Sequence, residues 1–182
     1  MINIEDFPII AAVKRDEDFP TAVDSPCDII FWLSPNIMTL KSNLAKVKAK
    51  DKKIFLHIDM ADGIGKDSAG LEYLSLLGVD GIISTRSNLI KAAKELGLVT
   101  VQRFFILDSR SVSTAFESVK SMKPDMIEIM PGILTRKITL FADTADVPII
   151  AGGLIETKDD VISALSAGAS AISTSKTELW FE

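Results

Sequence analysis

The sequence predicts a compact α/β fold: one (β/α)8 barrel with short helices, spanning residues 1–182 as a single domain. Three observations lead to this prediction: eight short apolar runs at regular spacing, a residue composition of those runs that suits buried strands, and helical patterns between them. A length of 182 residues is too short for two domains of ordinary size, and 47% hydrophobic residues supply one large core.

The apolar runs are rich in isoleucine and valine and nearly continuous. Their first residues run from position 8 to position 169, so the seven steps between them average 23 residues. Strands of a parallel sheet that is covered on both faces have this pattern. The runs are PIIAAV (8–13), DIIFWL (28–33), KIFLHID (53–59), VDGIIS (79–84), LVTVQRFF (98–105), DMIEIM (125–130), VPIIAG (147–152) and ASAIST (169–174).

Helical patterns separate most of these runs. The segment 87–97 ends at a glycine, 109–125 is closed by Pro124, and 157–168 begins at the capping residue Thr157. Strands that alternate with helices form parallel sheets through right-handed crossovers. Eight such units favour a closed TIM-type barrel over the alternative, an open doubly wound sheet. A leucine-rich repeat has a similar period, but its sequence template is absent.

Charge and composition restrict the function. A net charge of −5 disfavours nucleic-acid binding through bulk positive charge, but it is compatible with a local basic patch. The single cysteine, Cys27, cannot form an intrachain disulfide, and the N-terminal MINIEDFPII has two acids and no basic residue, unlike a signal peptide. No apolar run approaches the roughly 18 residues of a membrane span. We therefore expect a cytoplasmic protein without membrane contact.

Two consecutive strand ends carry residues that suit a phosphate group. The seventh run leads into Gly152 and Gly153, and the eighth ends at Thr174 and Ser175. Glycine allows close backbone approach to an anion, and hydroxyl and N–H groups at a helix start donate to it. Each pair alone is equally well read as a turn or a helix cap. Together, at the loops where barrels of this type bind phosphate, they favour a phosphate-binding cup.

Ionisable side chains also occur in or directly after the buried runs. An unpaired charge there is costly, so such groups are expected to face the polar upper lumen of the barrel. They form a predicted polar site beside the phosphate cup, with His57 and Asp59 on the same side of the third strand. The structural alternative is an internal Arg103–Glu128 pair and a core histidine. The predicted polar-site residues are Lys14, His57, Asp59, Arg103 and Glu128.

Metal binding has little support in the sequence. One histidine and one cysteine provide no zinc template. Asp59 and Asp62 are oxygen ligands of the type that holds Mg²⁺, but two acids in a loop are a weak signal. We therefore expect no metal. The glycine-containing loop 60–70 is a candidate lid or interface loop, or simply a mobile loop.

A basic run surrounds the second predicted helix. Lys46, Lys50 and Lys53 are spaced to share a helical face. The usual meaning of such a run is a solvated outer helix, and contact with nucleic-acid phosphates is the alternative.

Several stretches together resemble the glycerol-uptake operon antiterminator family. They keep their order and cover most of the chain: HIDMADG (57–63), DGIISTRSNLIKAAKELGLVTVQRFFILDS (80–109), PDMIEIMPG (124–132), PIIAGGLI (148–155) and ALSAGASAISTSKTELW (164–180). The resemblance implies a barrel that binds glycerol 3-phosphate, acts on leader mRNA to prevent premature transcription termination, and performs no chemistry with or without a cofactor. It places phosphate contacts on Gly152, Gly153, Thr174 and Ser175, whereas the polar-site residues rest on strand position alone.

Two other functions remain open at this point. One is an enzyme acting on a small phosphorylated substrate, with Glu128 or His57 as general base and Lys14 as electrophile. The other is a metabolic binding protein that works through a protein partner. Barrels host many chemistries, so the fold does not decide between them. A homo-oligomer is also compatible with the sequence.

Overall fold

The barrel is closed, with eight parallel strands in the order β1 to β8 and β8 paired with β1. The computed structural model describes residues 7–182, so most of the acidic N-terminal stretch, residues 1–6, lies outside it. Closure confirms the predicted (β/α)8 barrel and shows that the open-sheet alternative is wrong. The strands are β1 (Ile9–Val13), β2 (Ile29–Trp32), β3 (Lys53–His57), β4 (Gly81–Ser84), β5 (Val99–Phe105), β6 (Met126–Met130), β7 (Ile149–Gly152) and β8 (Ala171–Thr174).

Short helices alternate with these strands, and the three helical segments predicted from the sequence each contain one. The α7 N-terminus has the predicted cap: the Thr157 side chain accepts from Asp160 N at 3.2 Å, and Asp160 Oδ2 accepts from Thr157 N at 2.9 Å. The helix α5 ends at a left-handed Lys123 just before Pro124. The helices are α1 (Phe19–Asp24), α2 (Ile37–Lys48), α3 (Ser68–Leu76), α4 (Ser87–Glu95), α5 (Ser109–Met122), α6 (Thr135–Thr144) and α7 (Lys158–Ser166).

Alternate residues of each strand face the barrel lumen or the helices, which produces two apolar clusters. The larger cluster lies between strands and helices. The smaller cluster fills the lower lumen and includes Ile10, Phe31, Phe55, Ile83 and Val101, with the Phe31 and Phe55 rings 5.5 Å apart. Because this part of the lumen is filled, polar lumen residues are confined to the carboxyl ends of the strands.

One buried polar network lies on the helix-facing side of β5. Gln102 Nε2 donates to Ser87 Oγ of α4 at 3.1 Å and to Ser118 Oγ of α5 at 2.8 Å. The two hydroxyls lie 3.1 Å apart, so each is within hydrogen-bond reach of the other. The network ties both helices to the strand, and the Gln102 side chain is almost fully buried within it.

The loop 60–70 is attached to the β2–α2 connection through Asp62. Asp62 N donates to Pro35 O at 2.8 Å, its carbonyl accepts from Ile37 N at 3.0 Å, and its carboxylate accepts from Asn36 Nδ2 at 3.1 Å. Asp67 caps α3 by accepting from Gly70 N at 2.9 Å. The loop is therefore held to the β2–α2 connection, which does not favour its prediction as a freely moving lid. In the described part of the chain, no helix has the length and apolarity that crossing a membrane requires.

Candidate functional site

A cavity of about 370 Å³ opens at the carboxyl ends of β1, β5, β6, β7 and β8. Six of the nine residues predicted for the phosphate cup and polar site line it, and the other three do not. Residues not singled out from the sequence also line it, among them Ser173, Glu156 and Lys176. The predicted residues in the lining are Lys14, Arg103, Glu128, Gly153, Thr174 and Ser175.

Glu128 forms the floor of this cavity and is almost fully buried. Arg103 Nε donates to Glu128 Oε2 at 2.6 Å, and Ser173 Oγ donates to Glu128 Oε1 at 2.6 Å. Arg103 and Glu128 are directly paired in the β5–β6 register. The predicted internal pair is thus present, and it also faces the site, so the structural and functional interpretations describe the same residues. Both carboxylate oxygens already accept a strong, charge-assisted or hydroxyl hydrogen bond.

The Arg103 guanidinium is oriented toward the cavity. Its Nη atoms donate to no residue between 7 and 182, and they are not among the enclosed polar atoms without a partner. They therefore present N–H donors to the cavity while Nε is fixed on Glu128. A planar fork of donors held in this way suits a phosphate or carboxylate.

Gly152 lies below the cavity and not in its wall. A Cβ on Gly152 would overlap Glu128 Oε1 and approach Ser173 Oγ to 2.9 Å, so only glycine leaves room for the buried Arg103–Glu128–Ser173 group. Gly152 does not line the cavity, and a direct phosphate contact at this residue stays a prediction. The residue enables the polar floor.

Gly153 and Leu154 form the rim that follows β7. Both have left-handed backbone angles, with φ of 76° and 58°. Gly132 N donates to Gly152 O at 2.6 Å and to Gly153 O at 2.9 Å, which fixes the carbonyl side of the turn. The Leu154 N–H donates to no residue of the described chain. A backbone donor of this kind beside a cationic cavity is suited to an anion.

Thr174 and Ser175 have different roles at the end of β8. Thr174 Oγ1 donates to Ile155 O at 2.8 Å and accepts from Lys176 N at 3.1 Å, so its hydroxyl braces the two rim loops. Ser175 is exposed at the cavity wall. Of the two predicted hydroxyl contacts, Ser175 is the one whose side chain is available to a ligand.

Cationic groups outnumber carboxylates around the cavity. Lys14 is exposed and lies within 4.0 Å of no carboxylate oxygen between residues 7 and 182. Lys176 Nζ lies 3.7 Å from Glu156 Oε1, and Arg103 is paired with Glu128. Three cations and two carboxylates leave an excess of one positive charge, which favours an anionic ligand.

His57 and Asp59 form a separate cluster that is not part of the cavity lining. Since β3 ends at His57 and Asp59 lies in a 3₁₀ turn, the argument that they share one side of a strand is wrong. The two side chains still meet, with His57 Nε2 3.6 Å from Asp59 Oδ2. Asp59 also accepts from Ser84 Oγ at 2.6 Å and from Thr85 N and Oγ1 at 2.7 and 2.8 Å.

The environment of Asp59 stabilises its charged form. Burial by itself raises the pKa of this carboxyl. The neighbouring His57 and the hydrogen bonds from Ser84 and Thr85 have the opposite and larger combined effect, so the pKa lies well below its ordinary value. His57 Nε2 is buried without a hydrogen-bond partner in the described chain, because 3.6 Å is too long for one. The cluster joins the carboxyl ends of β3 and β4 and does not contribute to the cavity lining.

The carboxylates considered for Mg²⁺ both have protein partners. Asp59 is held by Ser84 and Thr85, and Asp62 by Asn36. Between residues 7 and 182, no group of three or more histidine, cysteine or acidic side chains is placed to hold a metal ion.

The predicted basic face on α2 does not form. The helix ends at Lys48, so Lys50 follows it and Lys53 begins β3, whereas Lys46 alone lies on the helix. Lys50 Nζ lies 3.2 Å from Asp24 Oδ1, and Lys53 Nζ lies 3.1 Å from Asp80 Oδ1. The premise of a shared helical face is therefore wrong, and two of the three lysines are already paired with carboxylates.

We expect Asp59→Asn to lower the free energy of unfolding at pH 7 by about 1–3 kcal/mol, because the amide can no longer accept all the bonds from Ser84 and Thr85. A carboxyl whose folded pKa is depressed stabilises the fold above its unfolded pKa of 3.8 and loses that effect as the pH falls. The difference between wild type and variant should therefore shrink below pH 3.8. Urea unfolding of wild type and variant at pH 7 and below pH 3.8 measures this difference in the free energy of unfolding.

Asp62→Asn is the matched control for this experiment, since the Asp62 carboxylate accepts one exposed bond from Asn36. Its effect should be small and nearly independent of pH. An Asp59→Asn effect that is equally small, or that persists unchanged in acid, contradicts the stabilising role of the Asp59 charge.

The fold and the cavity define a class: a TIM-type barrel with a small cationic cavity at the carboxyl ends of its strands. The profile of the family described as "Glycerol-3-phosphate responsive antiterminator" matches residues 9–180. The chain belongs to this family.

One curated relative and two solved structures are similar to this chain over most of its length. The Escherichia coli (strain K12) protein named "Uncharacterized protein YgcP" is 36% identical over 174 residues, which is 95% of this chain and 91% of that protein. The crystal structure of the glycerol uptake operon antiterminator regulatory protein from Listeria monocytogenes is 31% identical with a TM-score of 0.92, over 98% of this chain and 97% of that one. The antiterminator-related protein from Thermotoga maritima is 31% identical with a TM-score of 0.84, over 94% and 96%.

More distant structures share the barrel alone. An aldolase at 16% identity has a TM-score of 0.72, and orotidine 5'-phosphate decarboxylase from Pyrococcus horikoshii, also at 16%, has 0.66. At this identity the likeness shows the fold and carries no statement about activity.

Proposed function

We propose that this protein senses glycerol 3-phosphate in its cavity and, in the ligand-bound form, binds leader mRNA to prevent premature termination of glycerol-utilisation genes. Family membership supports the glycerol 3-phosphate response. The observation that carries the ligand assignment is the Arg103 guanidinium in the cavity wall. Its Nε donates to Glu128, and its Nη atoms are available to donate to a ligand. RNA binding rests on the family and on the names of the Listeria and Thermotoga proteins.

Glycerol 3-phosphate matches the size and charge of the cavity. A phosphate monoester carries a charge of about −1.5 to −2 at pH 7 and three acceptor oxygens. Arg103, Lys14 and Lys176 supply cations, while Ser175 and the Leu154 N–H supply neutral donors. The cavity of about 370 Å³ lies at the small end of ligand sites, which favours a compact ligand.

Ligand binding would affect RNA affinity only if the two protein conformations differ in their affinity for the ligand. The rim loops proposed to contact the phosphate are held by the backbone bonds of Gly132 and by the Thr174 hydroxyl, which donates to Ile155 O. A phosphate that bridges Arg103 and the Leu154 N–H joins β5 to the β7 rim. A conformation that spaces Arg103 and the Leu154 N–H to fit the phosphate would bind the ligand more tightly than one that does not, and the ligand would favour it.

Isothermal titration calorimetry should detect saturable binding of glycerol 3-phosphate and none of glycerol, because glycerol lacks the charge that Arg103 and the lysines recognise. In a thermal-shift assay, ligand at about 100 times its dissociation constant should add about 2.7 kcal/mol of stability. Inorganic phosphate should bind more weakly than glycerol 3-phosphate. Equal affinity for glycerol and glycerol 3-phosphate would refute the proposed site.

We propose that the protein is not an enzyme and uses no cofactor. Glu128, the general base considered from the sequence, accepts from Arg103 and Ser173 at 2.6 Å each and is poorly placed to remove a proton. Glycerol 3-phosphate incubated with the protein, with and without Mg²⁺ or a nicotinamide cofactor, should remain unchanged by NMR. Consumption that disappears in Glu128→Gln would establish the enzyme alternative instead.

A further inference from the structure

Four exposed lysines lie close together on the outer helices at the amino-terminal end of the barrel strands. Lys91 and Lys94 are on α4, Lys120 is in the last turn of α5, and Lys123 follows that helix. None of them lies within 4.0 Å of a carboxylate oxygen in the described chain, in contrast to Lys50 and Lys53. We call these four residues the α4–α5 lysine surface.

Two grooves flank α5 and connect these lysines. The groove between α4 and α5, of about 320 Å³, is lined by Lys91, Lys94 and Glu95 together with Ser121 and Met122. Lys94 Nζ donates to the carbonyl of Lys123, so α4 is joined to the carboxyl end of α5. The four lysines therefore lie on both sides of that end of α5.

The second groove, of about 500 Å³, lies between the carboxyl ends of α5 and α6. Lys120 and Lys123 stand beside its apolar wall, which includes Phe116 and Val119. Phe116 is half-buried and stacks on Phe141 with ring centroids 4.3 Å apart, so its position is fixed. An apolar, aromatic groove with adjacent ammonium groups suits a nucleobase and its flanking phosphates.

We propose that the α4–α5 lysine surface is the docking surface for single-stranded RNA. The proposal rests on the proposed function, which requires RNA binding but does not locate it. Four cations with no carboxylate partner between residues 7 and 182 would be neutralised by a phosphodiester backbone, and the described acids that line the two grooves are Glu95 and Asp146. The alternative lysines predicted from the sequence are largely neutralised by Asp24 and Asp80.

This surface is remote from the ligand cavity. The cavity opens at the carboxyl ends of the strands, whereas Lys94, Lys123 and the second groove lie at the helix ends that lead back into the amino ends of β5, β6 and β7. RNA and glycerol 3-phosphate can consequently be bound at the same time, and neither competes for the other's contacts.

The test compares the full-length wild type with two variants, all in saturating glycerol 3-phosphate, using fluorescein-labelled polyuridylate and fluorescence anisotropy at several salt concentrations. The first variant replaces Lys91, Lys94, Lys120 and Lys123 with glutamine. The second, Lys91→Glu with Lys120→Glu, leaves both the Lys94–Lys123 bond and the left-handed Lys123 intact. The matched control replaces Lys46, Lys50 and Lys53 with glutamine.

Wild type should show a log–log salt slope near −2.8, since each phosphate contact on a single strand contributes about −0.7. Both α4–α5 variants should bind polyuridylate at least about tenfold more weakly with a shallower slope, and the control should bind like wild type. Circular dichroism and the thermal shift with glycerol 3-phosphate verify that each variant is folded and retains the ligand site.

The possible failures are distinguishable. If wild type binds polyuridylate and the α4–α5 variants bind equally well, the lysine surface is wrong while the proposed function stands. If wild type does not bind polyuridylate even at low salt, both the surface and the RNA part of the proposed function are refuted. If polyglutamate displaces polyuridylate at the same charge concentration, the surface recognises acidic chains in general, and RNA is not its specific partner.

Discussion

Gly153→Asp is expected to abolish glycerol 3-phosphate binding while the barrel remains folded. The new carboxylate would stand in the cavity wall where the phosphate is expected, and two unit charges about 4 Å apart repel by about 4 kcal/mol at an effective dielectric of 20. That energy corresponds to roughly a thousandfold loss of affinity. Aspartate is among the residues that tolerate the left-handed angle of 76° at this position. Calorimetry and circular dichroism measure the two effects.

Gly153→Asn is the matched control, because asparagine has the same shape and the same backbone preference without the charge. In either variant a Cβ would press on the flexible end of Met130, which has to shift. Asparagine should therefore weaken the ligand much less than aspartate does. Equal losses would indicate a steric effect and would contradict the assignment of an anion site beside Gly153.

Arg103→Met should destabilise the fold by about 3–5 kcal/mol, because it leaves the buried Glu128 carboxylate without its cation. Among residues 7–182, Ser173 would remain as the one hydrogen-bond donor to that carboxylate. The same variant should lose glycerol 3-phosphate binding, since the Nη donors of Arg103 are removed. Chemical denaturation and calorimetry separate the two consequences.

The double variant Arg103→Met with Glu128→Gln distinguishes stability from binding. Removing both charges should recover most of the lost stability, because no buried charge is left unpaired. Ligand binding should not return, as the cation that faces the cavity is still missing. Recovery of binding in the double variant would mean that Arg103 only neutralises Glu128 and does not contact the phosphate.

The strands could be predicted because parallel barrel strands are buried on both faces, and this requirement leaves nearly continuous apolar runs in the sequence. Helix ends were harder to predict where no glycine or proline stands at the stop. The lysine-rich segment beyond Lys48 continues the spacing of α2, so the pattern did not reveal that Lys50 and Lys53 lie outside the helix.

The candidate site was predictable at the level of strand ends. Residues at the carboxyl ends of barrel strands converge, which placed Lys14, Arg103 and Glu128 together in advance. The contact of Ser173 with Glu128 was not predicted, although alternation along β8 puts Ser173 on the lumen side with Ala171. Its contact with Glu128 spans 45 positions and depends on the register around the whole barrel.

The individual roles of Gly152 and Thr174 could not be derived from their residue types. Gly152 has no side chain and so leaves room for the buried Glu128 carboxylate. The Thr174 hydroxyl donates to the carbonyl of Ile155, 19 positions away. Both facts follow from packing between segments that are distant in the sequence. Residue type and spacing led to residues that line the candidate cavity but not to the contact that each residue makes.

Gln102 and Arg103 are joined by one peptide bond, and in an extended strand their side chains point to opposite faces. Arg103 reaches the ligand cavity, whereas Gln102 holds α4 and α5, the helices that carry the lysine surface, through Ser87 and Ser118. Strand β5 thus contributes to the ligand cavity through Arg103 and holds α4 and α5 through Gln102. Any coupling between the two regions through β5 must be reciprocal. A molecule that binds to the helices must raise the affinity of the cavity for the anion by the same factor by which the anion raises the affinity of the helices for that molecule.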